Sequence, residues 1–154
     1  MENNKLEKSD IILNPDGTAN FDLNADGEVL GTCRGLFTFK TFLTPLEQLG
    51  ASKDYRNLIG PNPELSTDQD RFLAFCLAQL RYRVIKAPPF WKTGEAFDGN
   101  VDKNIISIIL DRAIEAESLY KAHLKEKRDK ALENVQQVLK ANKERLNPSK
   151  KEEG

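Results

Sequence analysis

Residues 28–47 read EVLGTCRGLFTFKTFLTPLE, and within this stretch the pattern of the chain changes from strand to helix. The first sixteen residues are rich in β-branched and aromatic side chains. Phe37, Phe39, Thr41 and Leu43 recur at period two, which puts them on one face of an extended segment. Arg34-Gly35 interrupts the run and predicts a β-hairpin over 28–43 that turns there. Thr44-Pro45-Leu46-Glu47 then supplies an N-cap, a proline at the first helical position and a glutamate three residues after the threonine, which together make a capping box. The residues beyond read as helix and loop, so the expected fold class is α+β: a small hairpin followed by a mainly helical body.

Working outward toward the C-terminus, the first helix should span about 45–58 and stop at Gly60-Pro61, where glycine allows a left-handed cap and proline cannot continue the helix. A second helix, over about 67–86, opens at Ser66 with Gln69 in the capping-box position. Phe72, Leu73, Phe75, Cys76, Leu77, Leu80 and Val84 make it apolar on most sides, which predicts a central, buried helix. Ala87-Pro88-Pro89-Phe90-Trp91 ends it, because prolines hold an extended segment. After a polar loop through Gly94 and Gly99, a helical pattern runs from about 101 to 146, roughly 68 Å at ~1.5 Å per residue, longer than one small domain covers. Ile105, Ile106, Ile109, Ala113 and Ile114 can pack this helix on the head over 101–120. The rest, 121–154, reads as a charged helical stalk with a disordered end. On the other side, residues 1–27 read as a polar arm with turn signals at Asn14-Pro15-Asp16-Gly17 and Asn24-Ala25-Asp26-Gly27, a pattern that fits short strands or an ordered arm.

A chain of 154 residues suits one domain plus an appendage. Lys and Arg number 23 against 24 Asp and Glu, so there is no net field to capture DNA or an anionic membrane, and nucleic acid is not an expected partner. The charge is unevenly distributed, however. Through Tyr120 there are 13 basic and 18 acidic residues, net −5, and beyond it 10 basic and 6 acidic, net +4. No basic region at the start leads into an apolar one, and no apolar run approaches the ~18 residues of a membrane span, so a cytosolic protein is expected. His123, the sole histidine, lies in a charged run and reads as an exposed helical residue. Cys33 and Cys76 form no CxxC motif and read as reduced, hydrophobe-like thiols. Phosphate loops, nucleophile elbows and paired catalytic carboxylates are missing from the sequence, so neither an enzyme nor a cofactor is expected.

Several features remain as candidates. Asp22, Asn24, Asp26 and Gly27 match the first half of a calcium loop, but Cys33 stands where the closing glutamate belongs, so a plain turn is the preferred reading and no metal is expected. Asp54, Tyr55 and Arg56 form a compact acid, phenol and cation set, the polar candidates of another reading, an enzyme or ligand-binding domain, but a helix surface explains them as well. Pro88, Pro89, Phe90 and Trp91 can either dock a partner or fold back over the core. In the stalk, Leu132, Val135, Leu139, Asn142 and Leu146 fall at spacings of 3, 4, 3 and 4. That is the seam pattern of a coiled coil, about two heptads long, suited to another protein's helix or to an oligomer. The same pattern fits a solvated helix.

The order GTCRGLFTFKTFLTPLEQLGASKDYRNLIG, then FLAFCLAQLRYRVIKAPPFW, then GNVDKNIISIILDRAIEAESLY resembles that of small tail assembly chaperones of long-tailed bacteriophages, over residues 31–120. The resemblance implies a non-enzymatic protein of the infected host's cytoplasm. Its partners would be the tape-measure protein, which it would keep soluble, and the tail-tube subunits it would help recruit. The resemblance does not extend to the arm at 1–27. A structural virion protein, capsid-stabilising or head–tail joining, is the alternative, with other virion proteins as its partners.

Overall fold

The structure is a computed structural model and describes residues 10–146. Four antiparallel strands, β1 (Ile12–Leu13), β2 (Thr18–Asp26), β3 (Thr32–Lys40) and β4 (Val84–Lys86), form one sheet in the order β1-β2-β3-β4. Three helices complete an α+β fold: α1 (Pro45–Ile59), α2 (Asp68–Arg83) and the long α3 (Lys103–Leu146). Short 3-10 turns lie at Pro63–Leu65 and Gly94–Gly99.

The expected hairpin is displaced. β3 runs without a turn through Arg34 and Gly35, and its hairpin partner is β2, in a register from Asp26 opposite Thr32 to Thr18 opposite Lys40. The turn lies at residues 27–31, and residues 18–26 belong to the sheet, so of the two readings of this stretch it is the strand that forms here. The reason lies in the alternation of TANFDLNAD. Ala19, Phe21 and Leu23 face inward and lie opposite Phe39, Phe37 and Gly35, while Asn20, Asp22 and Asn24 point away. Gly35 interrupts side-chain packing but not the strand. Its φ of +149° suits glycine, and a Cβ there would stand 2.3 Å from Pro88 Cγ. Asn14-Pro15-Asp16-Gly17 does turn the chain, from β1 into β2, with the Gly17 N–H donating to the Asn14 carbonyl. The rest of the proposed arm, residues 1–9, and the proposed disordered end, residues 147–154, lie outside the described residues.

Thr44 and Glu47 cap α1 reciprocally, as their spacing predicts, and Gly60 ends the helix with φ +84°. The cap of α2 is Thr67 with Asp70, one residue beyond the expected Ser66–Gln69 pair. α2 also stops earlier than 86, because β-branched Val84 and Ile85 leave the helix and pair as β4 with the edge of β3. Nor is α2 buried all round. Ala74, Cys76, Ala78 and Leu80 are buried, but Phe72 and Phe75 are exposed. The core is the inner face of the sheet with α2, Trp91, Phe97 and the inward side of α3: Ile105, Ile106, Ile109, Leu110, Ala113 and Ala116. Ile114, expected among these, is exposed.

Contacts divide the chain into two compact units, residues 1–119 and 120–154. No helix among the described residues is long and apolar enough to cross a membrane.

Candidate partner-binding surfaces

The start of α3 is fixed by one carboxylate. Asp102 is buried and accepts from the Ile105 N–H at 3.2 Å, as an N-cap does. The same group accepts from the N–H groups of Val29 at 2.9 Å, Leu30 at 3.0 Å and Glu28 at 3.3 Å, across the β2–β3 turn. Burial pushes the carboxyl up, but the N–H groups of Leu30, Val29, Ile105 and Glu28 outweigh it and hold the pKa at about 2. Asp102 thereby ties the turn at 27–31 to the first turn of α3 beside the sheet.

Between α2 and the start of α3, next to Glu28, lies a groove of about 500 Å³. Leu73, Cys76, Ile106 and Ser107 form its floor, Phe72 stands at its rim, and Glu28, Asp68, Asp70 and Lys103 surround it. Burial, helped by nearby Asp111, raises the Cys76 thiol to about 11, so the sulfur is a neutral apolar group and not a nucleophile. A second hollow, about 450 Å³, lies between α1, α2 and the 94–99 turn, where Asp54 Oδ2 sits 3.8 Å from Arg81 Nη1 and Arg81 lies over the Phe97 ring. α1 itself buries only Ala51 fully, and Leu46, Leu49 and Leu58 are exposed.

The acid, phenol and cation set is not gathered into one site. Asp54 faces the Arg81 hollow, whereas Tyr55 and Arg56 line a separate, smaller one with Phe75 and Gln79. Asp22, Asn24 and Asp26 share the outer face of β2, where successive side chains stand roughly 7 Å apart and do not converge on an ion. Asn24 instead accepts from Arg34 and Asp26 from Thr32. Within Pro88-Pro89-Phe90-Trp91, Trp91 is buried edge-on to Phe37 and Phe97, Pro88 packs over Gly35, and Phe90 meets Phe37. The surface left for a partner there is Pro89 and part of Phe90.

In the second unit every described residue from Lys121 is exposed, including His123. Leu132, Val135 and Leu139 are 55–62% exposed, Leu146 is 80%, and Asn142 lies on the same seam. Val138, at 59%, widens it and was not among the residues the spacing singled out. The groove beside Phe72 was also missed, because apolar density alone cannot say which side of a helix a neighbour covers.

Comparison with family models, with curated proteins and with solved structures gives no match for this chain.

Proposed function

We propose that this protein is an assembly chaperone of long-tailed bacteriophages, acting in the host cytoplasm. In this reading it binds the tape-measure protein, keeps that long helical chain soluble and aids assembly of the tail tube. One observation carries the reading: large apolar side chains stand exposed in series on α1, on α2 and along the stalk seam, where an amphipathic partner helix can cover them. Isolated exposed leucines are ordinary, but Leu132, Val135, Val138 and Leu139 on one helix form a stripe. Binding of this kind needs no cofactor.

The test is co-expression with the tape-measure protein of the same phage, followed by mass spectrometry of purified particles. A chaperone holds the tape-measure protein in the soluble fraction and is absent from finished particles. Persistence of the protein in particles at the copy number of a structural component, with no effect on tape-measure solubility, would replace this reading with the virion-protein alternative.

A further inference from the structure

We infer that the stalk of one copy docks in the groove between α2 and the start of α3 of a second copy, making a head-to-tail contact. The groove has an apolar floor and a rim in which Glu28, Asp68 and Asp70, with Asp111 one turn beyond Ser107, outnumber Lys103 and Arg71. The ion pair between Arg71 and Asp68 leaves that excess unchanged, since it removes one charge of each sign. The stalk has the complementary make-up: residues 121–146 carry eight Lys and Arg against four Asp and Glu, alongside the Leu132, Val135 and Leu139 stripe. Charge also decides between two ways of covering the stripe. Pairing stalk with stalk would bring together two segments of net +4, whereas seating a stalk on the head meets a net −5. Phe72, about half exposed, is the groove's apolar anchor for the incoming helix.

Such a contact joins two different surfaces, so a groove variant and a stalk variant should complement one another. Light scattering on the full chain at low salt is expected to give a mass that rises with concentration from 17.4 kDa, and to return to that value in about 1 M salt, where charges are screened beyond about 3 Å. Phe72→Asp and the pair Leu132→Asp/Leu139→Asp should each abolish the rise. Mixing the two variants should restore a dimer and nothing larger, because one supplies an intact stalk and the other an intact groove. Asp111→Lys, on an exposed residue, serves as the groove variant if Phe72→Asp fails to fold by circular dichroism. A stalk–stalk dimer would instead leave the groove variant associated and the mixture no different from its parts, which overturns the inference. So does a wild-type mass that stays at 17.4 kDa at every concentration.

Discussion

The buried Asp102 carboxylate accepts from four backbone N–H groups, three in the exposed turn and one at the helix start, so its removal leaves those donors without their partner. Asp102→Ala should destabilise the head by about 1–3 kcal/mol, measured by urea unfolding, since an unmade buried hydrogen bond costs that much. The folded pKa of about 2 lies below the ordinary value of 3.8. The stabilisation is therefore complete above the higher value and lost as pH falls from one to the other, and Asp102→Asn should abolish that part of the acid dependence. Gly27 is coupled to the same group: a Cβ there would stand 2.1 Å from Asp102 Oδ2. Gly27→Ala should thus be destabilising in the wild type and markedly less so beside Asp102→Ala. Equal costs in both backgrounds, in a double-mutant cycle, would show that the carboxylate is not what the methyl group meets.

At the level of elements, capping chemistry was legible because it is local. Thr44-Pro45-Leu46-Glu47 carries the whole instruction for the start of α1, and Gly60 that for its end. The sheet was less so. The inward alternation of Ala19, Phe21 and Leu23 lies within a stretch whose polar residues and Asp-Gly pairs fit an arm as well as short strands, and pairing against Phe37 and Phe39 decides for the strand. β4 depends likewise on a free edge of β3, which nothing in Val84-Ile85-Lys86 specifies. The candidate surfaces divide the same way: the stalk seam follows from periodicity, but the groove depends on how α2 meets α3. That meeting includes Arg83, buried, with Nε on Gln79 at 3.0 Å and Nη2 3.4 Å from Glu117. Glu117→Ala leaves a buried cation with less compensation and should cost up to about 3 kcal/mol, whereas Arg83→Met removes the charge itself and should cost less. Denaturation midpoints of the two variants check the order.

On the scale of the whole molecule, the buried core is confined to one part of the chain. Every residue of the core cluster and of the side chains packed on it lies between Ile11 and Leu119, and from Lys121 to Leu146 no described side chain is buried. Deleting residues 125–154 should therefore leave the melting temperature of the dilute protein within a degree or two of the full chain, because no core contact is removed. Concentration makes the comparison sharper. A contact made only by folded copies raises the melting temperature as protein is added, by mass action. Scanning calorimetry over a concentration series should accordingly show a transition that climbs for the full chain and stays level for the truncated one, the two meeting at high dilution. If truncation lowers the transition equally at all concentrations, the stalk stabilises its own head, and the exposed seam has a use within the single chain.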